Sequence, residues 1–333
     1  MITVLETGPL NTVQDLGRFG LRNMGVGSSG MMDMLALQVA NILMDNEDGA
    51  AGIEIQTYPC VLRFDVDTRF VVTGADVGLS LDGVMVLPWV VAQVQAGQVL
   101  RIERPTVSAR ACLAVAEGIN VPVVLGSRAT QLRGGFGGLA GRVLQTGDML
   151  PIAPSDGPAG FGAVPPLRVL AAPGETRPKS VTVRAIPATD HDHFTASSRE
   201  HFWGRPWRIT PQADRIGYRL RGEPLRLIEP KELRSYGIVP GIVQVPPAGE
   251  PIVQMADANT AGGYPRMACV IEADLWRLAQ APIGTDIYFQ LCSHAQGVAA
   301  DVEMRRYLNT LRSMVGYYRA SAARQSGQRK HSA

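Results

Sequence analysis

The sequence predicts a mainly β protein with many short strands and a few helices. Two observations support this class. Short apolar runs of about five residues recur along the whole chain. The 36 glycines and 23 prolines are spread between these runs, as expected where strands are joined by tight connections. Many short strands with few helices favour barrels or sandwiches over a doubly wound sheet.

The first predicted lobe covers residues 1–150. Its strands are expected at ITVLE, GIEIQ, CVLRFD, RFVVTG, VGLSLDG, VLRIER and ACLAVAEG. One helix is expected over about residues 32–45, because apolar residues from Leu35 to Leu43 recur at helical spacing. Asp33 would place its negative charge in the positive first turn of that helix.

A second lobe is predicted over residues 169–318. The preceding stretch, 151–168, is dense in proline and glycine, which indicates a linker or a long excursion between two lobes. The second lobe is again rich in strands, with short helices near 196–203 and at DLWRLAQ, and a longer helix over about 299–316. The last residues, 319–333, are basic and are expected to form a flexible, solvated tail.

Charge and lysine content exclude several classes of function. The net charge of +2 gives no electrostatic reason to expect a nucleic acid or an anionic membrane as partner. Only Lys179, Lys231 and Lys330 are present, and no GxxxxGK[ST] phosphate loop occurs. None of the three lysines lies in the hairpin turn that receives biotin, so we expect no covalent biotin on this chain.

Cysteine, histidine and hydropathy patterns indicate a cytoplasmic protein without metal. The four cysteines are widely spaced and never form CxxC, which favours small buried side chains over metal or disulfide roles. DHDHF (190–194) does not fit the ligand spacing of a closed metal site. No apolar run approaches the roughly 18 residues that a membrane helix needs, and no signal peptide is recognisable.

Two turn-forming stretches near the N-terminus carry groups suited to binding. GVGSSG (25–30) matches GxGxxG but lacks a good strand before it, which disfavours dinucleotide binding. It leads into the predicted helix, whose free N–H groups suit an anion or oxyanion; a plain glycine-rich turn is the alternative. In TVQDLGR (12–18), Arg18 has the fork geometry that grips a carboxylate, unless it forms an internal pair with Asp15.

The stretch MADANTAGGYP (255–265) sets polar residues between two apolar, strand-like runs. IVQVPPAGEPIVQMAD is typical of a hairpin with PPAGE as its turn. Along the second strand, Val253, Met255 and Asp257 alternate onto one face, so a carboxylate lies where the apolar face ends. Burial without a partner would raise the pKa of Asp257, as a general acid or base requires. The alternative is an aspartate that caps the loop backbone.

Six stretches together resemble one family. In chain order they are TVQDLGR, SSGMMDMLALQVANILMDN, GSRAT, DRIGYRLRG, GIVPGIVQVPPAGEPIVQMADANTAGGYP and DLWRLAQ. They resemble the C-subunit family of 5-oxoprolinase, also called KipA-like or allophanate hydrolase subunit 2, which is related to half of the carboxyltransferase domain of urea carboxylase. The resemblance extends from about residue 3 to about residue 295.

The resemblance implies a cyclophilin-like β-barrel architecture with two barrel-like lobes. It also implies a hetero-oligomer, in which a KipI-like partner of the B type shares the active site and a further partner of the A type completes the enzyme. Such a complex uses ATP and opens 5-oxoproline to L-glutamate, which makes this chain one subunit of a cyclic-amide hydrolase. The missing P-loop and biotin lysine fit a chain that is one component of a larger enzyme.

The resemblance also suggests a cleft formed by the turns described above. Arg18 would hold the substrate carboxylate, and the helix start from Ser29 to Asp33 would face the developing oxyanion. Asp257 and the loop that follows it would line the opposite wall. The candidate catalytic residues are Asp257 and Asp15, and the candidate substrate-binding residues are Arg18, Ser29, Asp33, Gln244, Asn259, Thr260, Gly262, Gly263 and Tyr264.

Two other functions remain open for this family. The same fold serves as the carboxyltransferase component of biotin-dependent urea carboxylase or allophanate hydrolase systems, where the cleft would bind carboxybiotin from another chain. A KipA-like protein can instead be a non-catalytic antagonist of a KipI-like inhibitor. The polar, glycine-rich loop around Asp257 argues against a pure binder, since a binder has no need of a carboxylate in such a pocket.

Overall fold

The computed structural model describes residues 1–164, 180–230 and 233–330. The N-terminal half is built from two antiparallel sheets, and the C-terminal half contains a closed barrel of seven strands. The mainly β class predicted from the sequence is therefore confirmed.

Within residues 1–164, the strands form a sandwich of two sheets. They are β1 (Ile2–Glu6), β2 (Thr12–Gln14), β3 (Gly52–Ile55), β4 (Cys60–Phe64), β5 (Thr68–Gly74), β6 (Leu79–Leu81), β7 (Val84–Val86), β8 (Ala92–Val94), β9 (Val99–Ile102), β10 (Ala111–Val115) and β11 (Met149–Leu150). One sheet has the order β11-β1-β4-β9-β6-β7, and the other has the order β2-β3-β10-β5-β8. An apolar core that includes Ile2, Leu62 and Leu113 draws on strands of both sheets.

Helix α1 (Met34–Met44) packs on strands β5 and β10. Every residue of these two strands is buried, because one face of their sheet meets the apolar core and α1 packs on the strands as well. The helix predicted over 32–45 is thus confirmed. Its apolar residues, such as Leu35 and Val39, belong to one buried cluster with barrel residues such as Val183. Helix α1 therefore lies between the two halves of the chain.

The barrel occupies most of the described C-terminal half, and its ladder closes in the order β12-β19-β16-β17-β14-β13-β20. Strands β12 and β20 are parallel, and the other described neighbours in the barrel are antiparallel. The predicted hairpin is present, with Val243 opposite Val253. The strands of this half are β12 (Ser180–Pro187), β13 (Trp207–Ile209), β14 (Gly217–Arg221), β15 (Tyr236–Gly237), β16 (Ile242–Gln244), β17 (Ile252–Gln254), β18 (Ala261–Gly262), β19 (Arg266–Val270) and β20 (Asp286–Leu291).

Three α-helices accompany the barrel within the described residues: α2 (Ala196–Gly204), α3 (Leu275–Gln280) and α4 (His294–Lys330). The helix expected over 299–316 therefore starts earlier and continues further, and the segment from 319, expected to be a flexible tail, is helical as far as Lys330. Its alanines favour a helix, and Arg319 pairs with Asp45 at 3.1 Å. No helix of the described residues has both the length and the apolar character that crossing a membrane requires.

Candidate functional site

Two glycines allow the two ends of the loop of residues 15–30 to pack closely together. Gly17 and Gly30 have φ angles of +95° and +92°, which favour glycine. A Cβ on Gly17 would lie 2.8 Å from the carbonyl oxygens of Ser28 and Ser29. The two backbone segments therefore touch directly, and the amide of Arg18 donates to the Ser28 carbonyl at 2.7 Å. This close approach places Arg18 beside Ser29.

Asp15 anchors this loop. Its Oδ1 accepts hydrogen bonds from the Gly17 amide and the Ser127 hydroxyl, both at 2.7 Å, and its Oδ2 accepts from the Arg128 amide. The side chain is buried and lines none of the three cavities described below. Among the described residues no ion pair joins it to Arg18, so the structure supports a structural role for Asp15 more than the predicted catalytic one.

Arg18 is buried with part of its guanidinium unsatisfied. Nε donates to the Val124 carbonyl at 3.2 Å and Nη2 to the Ala129 carbonyl, while the group stacks 4.8 Å from the centre of the Phe136 ring. Nη1 has no partner within the described residues, although Arg18 is only 1% exposed. Burial lowers the pKa of Arg18 from its ordinary value, but an arginine keeps its proton in proteins. The site thus holds a cation with a free donor.

Ser29 lies beside this cation with a second free group. Its hydroxyl has no hydrogen-bond partner within the described residues, and its backbone is left-handed with a φ of +53°. Arg18 and Ser29 both line a cavity of about 520 Å³, here called the first cavity. Most of its other walls are apolar and come from both halves of the chain, including Met31, Met32, Met34, Met255, Val270, Ile271 and Leu275.

Arg215 joins the candidate Asp257 to the N-terminal half. Its Nε and Nη2 donate to the carboxylate of Asp257 at 2.9 and 3.2 Å, Nη1 donates to Glu54, and Nη2 also donates to the Gly30 carbonyl at 2.7 Å. Burial alone would lower the pKa of Arg215, but the two carboxylates raise it. Asp257 therefore does not meet the condition of burial without a partner, because a fully buried arginine pairs with it.

The loop after Asp257 lines a second cavity, of about 610 Å³. Asn259 and Thr260 form part of its wall, and Phe136 contributes to it from the N-terminal half. The Asn259 side chain accepts from Arg133, and the Asn259 carbonyl accepts from Arg22 at 2.7 Å. Asp257 lines this second cavity and not the first, so it does not form the wall opposite Ser29 as expected.

Gln244 and the remaining candidates of the glycine-rich stretch lie outside these cavities. Gln244 is buried and accepts from Gln254 at 3.0 Å. Gly262 pairs with Tyr236 in a small two-stranded sheet, and a Cβ on Gly263 would lie 2.9 Å from the Leu233 carbonyl. Tyr264 is 47% exposed. These residues line neither the first nor the second cavity.

Asp33 also lies away from the cavities. Its carboxylate caps α1 by accepting from the Ala36 amide at 2.9 Å, and it accepts from the Gln280 side chain at 2.6 Å. The helix-start amides expected to face an oxyanion already have acceptors. The Met31 amide donates to the backbone carbonyl of Asp15, and the Met32 amide donates to the carboxylate of Glu54. Desolvation raises the pKa of Asp33 to about 6, despite the two hydrogen bonds.

This raised pKa makes part of the stability depend on pH. Because the folded state binds the Asp33 proton more tightly than the unfolded state, the contribution is complete below pH 3.8 and is lost as pH rises through about 6. We expect the free energy of unfolding of the wild type, relative to Asp33→Asn, to fall by about 2 kcal/mol between pH 4 and 7. Urea unfolding at both pH values measures this difference, and parallel pH profiles would contradict it.

Three further features of the structure bear on the sequence predictions. GVGSSG follows the short 3-10 helix Arg22–Met24 and not a strand. No group of three or more metal-ligating side chains occurs within the described residues. Sequence reasoning missed Arg215 and Glu54, which are 161 positions apart. A lone arginine before a strand carries no signal for so distant a partner.

Comparison with known proteins gives the following relatives. The family model described as carboxyltransferase domain, subdomain A and B, matches residues 24–291. The C subunit of 5-oxoprolinase from Escherichia coli (strain K12) is 41% identical over 93% of this chain and 97% of its own length. The C subunit of 5-oxoprolinase from Haemophilus influenzae is 38% identical over 95% of this chain and 99% of its own length.

Urea-metabolising enzymes form a second, more distant group of relatives. The urea amidolyase of Lachancea kluyveri is 31% identical over 86% of this chain but over only 16% of its own length. The crystal structure of the K. lactis urea carboxylase superposes with a TM-score of 0.84 at 27% identity, covering 93% of this chain and 29% of that one. The shared fold extends over nearly the whole chain, which corresponds to one segment of these larger enzymes.

Proposed function

This chain belongs to the carboxyltransferase-domain family of subdomains A and B, and from this membership we propose that it is the C subunit of an ATP-dependent 5-oxoprolinase. The observation that carries the proposal is the match to the C subunits of two 5-oxoprolinases over nearly their full length. In the proposal, a KipI-like protein of the B type and a protein of the A type complete the enzyme. The complex opens 5-oxoproline to L-glutamate.

The first cavity suits the substrate, which is a small lactam ring with one carboxylate. We assign the carboxylate to the free donors of Arg18 and Ser29, because a buried guanidinium with a free N–H is a strong partner for an anion. The methionine side chains, including Met31 and Met255, would contact the ring, since flexible thioethers adapt to irregular shapes. The substrate is smaller than the cavity, which leaves space for a group from a partner subunit.

The second cavity would contribute to the reaction through the loop that follows Asp257. Asp257 is neutralised by Arg215, so in this proposal it fixes the position of the Asn259–Thr260 segment. Arg22 joins the two cavities, because it lines the first and donates to the backbone of Ile238 and Asn259 beside the second. A shift of the Asn259–Thr260 segment would therefore change the walls of both cavities.

Reconstitution tests the proposal directly. Co-expression of this chain with its A-type and B-type partners is expected to give ATP-dependent release of glutamate from 5-oxoproline. Omission of any one of the three should reduce the rate to background. The matched control is a complex assembled with the Arg221→Gln variant of this chain. Arg221 is an exposed arginine of the barrel and lines none of the three cavities. Glutamate release by the two partners without this chain would contradict the proposal.

A second candidate function rests on the structural match to urea carboxylase. Here the chain would be the carboxyltransferase component that passes a carboxyl group from biotin, carried by another protein, to urea. The same preparation tested with carboxybiotin and urea distinguishes the two functions. Carboxylation of urea, without ring opening of 5-oxoproline, would replace the first proposal with the second.

A further inference from the structure

A third cavity, of about 780 Å³, lies between the two halves and carries more positive than negative charge. One wall comes from loops of the N-terminal sheets, and the other comes from the barrel strands and the turn between α3 and β20. The basic residues on its walls are Arg104, Arg110, Arg133 and Arg215, whereas the acidic ones are Asp214 and Asp257.

The two aspartates of this cleft already have partners. Asp257 is paired with Arg215 at 2.9 Å. Asp214 accepts two backbone N–H groups of its own turn, at 2.8 and 3.0 Å. Within the described residues, none of the other three arginines forms an ion pair. The cleft therefore has three positive charges without a carboxylate partner.

Arg110 provides the buried part of this charge. Its Nη1 donates to the Tyr218 hydroxyl and to the Ala279 carbonyl, both at 2.6 Å, and its Nη2 donates to Gln56 at 3.1 Å. All three acceptors are neutral. Nε has no partner among the described residues, although Arg110 is only 8% exposed. A buried charged donor left without an acceptor is costly, and Arg110 lines the cleft as a cation that no carboxylate of the described residues bonds.

Arg104 and Arg133 add exposed charge to the same cleft. Arg133 donates to the side chain of Asn259, which is neutral. Arg104 has no side-chain partner in the part of the chain that the structure describes, and both arginines are exposed. Arg133 also lines the second cavity, so the second and third cavities adjoin at Arg133 and Asp257.

We infer that this cleft between the two halves is a binding site for a multiply charged oxyanion of the phosphoryl class, such as pyrophosphate or the phosphate chain of a larger ligand. Three guanidinium groups suit an anion with more than one charge, since arginine forks match phosphate oxygens. The walls belong to both halves, so the ligand would also hold them together. Binding at this cleft does not depend on 5-oxoproline being the substrate.

Calorimetric titration of the full chain with pyrophosphate tests the site. We expect binding that weakens as the salt concentration is raised. Arg104→Gln and Arg133→Gln are each expected to raise the Kd about tenfold, as one lost charge-assisted hydrogen bond implies. Both residues are exposed, so the variants should fold, which circular dichroism verifies. The matched control is Arg221→Gln, which removes an exposed arginine that lines none of the three cavities.

The outcomes separate the site from general charge attraction. An unchanged Kd in the Arg104→Gln/Arg133→Gln double variant, equal weakening by Arg221→Gln, or no heat of binding would each overturn the inference. ATP that binds more tightly than pyrophosphate would support a nucleotide as the source of the phosphoryl group, and equal affinities would support the phosphate chain alone. Because the titration contains neither a partner protein nor 5-oxoproline, a failed 5-oxoprolinase assay leaves these results unaffected.

Discussion

Arg18→Lys is expected to raise the KM for 5-oxoproline of the assembled complex by roughly 10- to 100-fold, which corresponds to about 1.5–3 kcal/mol for a hydrogen bond to a charged group. Lysine keeps the positive charge but cannot bond the Val124 and Ala129 carbonyls and the substrate in one planar arrangement. Because the lost contact is present in both the ground state and the transition state, kcat should change little. Steady-state glutamate release, with assembly checked by gel filtration, measures both constants.

Arg128→Lys is the matched control for this variant. Arg128 also donates through Nε to a backbone carbonyl, that of Val121 at 2.9 Å, but it does not line the first cavity. Its KM should stay within about twofold of the wild type. Ser29→Ala should have a smaller effect than Arg18→Lys, since a neutral hydroxyl contributes less than a cation. An unchanged KM in Arg18→Lys would remove Arg18 from the substrate site.

Arg215→Met is expected to destabilise the fold by about 3–5 kcal/mol, because it leaves the carboxylates of Glu54 and Asp257 buried without their cation. For a chain of this size we expect the melting temperature to fall by roughly 5 °C. Arg215 is only 4% exposed, so water cannot replace the lost contacts without a rearrangement. Differential scanning calorimetry measures the change.

Two further variants distinguish the effect of unpaired buried charge from the effect of lost packing on stability. Adding Glu54→Gln and Asp257→Asn to Arg215→Met removes the unpaired charges and should recover part of the lost stability. Arg208→Met breaks the ion pair with Asp286, in which Arg208 is 61% exposed. This variant should change the stability by less than about 1 kcal/mol. If Arg215→Met and Arg208→Met had equal effects, the buried pair would not be the stabilising element.

Much of the fold could be predicted from the sequence, because it depends on local signals. Helix α1 follows from the spacing of its apolar residues, and the hairpin of β16 and β17 follows from two apolar runs around PPAGE. The extension of α4 to Lys330 was missed, since a basic stretch has no apolar periodicity to mark it. Its contacts with α1 are long-range and have no local signal.

The site was predictable only in part. Arg18 and Ser29 are brought together by Gly17 and Gly30, which belong to the two turn-forming stretches recognised in the sequence. Asp257 was identified from alternation along a strand. Its partner Arg215 precedes strand β14 and is far from Asp257 in the sequence. The cleft around Arg110 was not predicted at all, because its walls come from segments far apart in the chain.

The position of α1 between the two halves has a consequence for how the chain unfolds. One apolar cluster contains residues of α1, of the barrel and of α4. Gln280 adds four hydrogen bonds across the same boundary, to Ala109, Asp33 and, twice, Arg110. Neither half can melt without exposing the shared helix to water. We therefore expect the two lobes to unfold as a single cooperative unit, and a cut near residue 150 to leave two fragments with unpaired apolar faces.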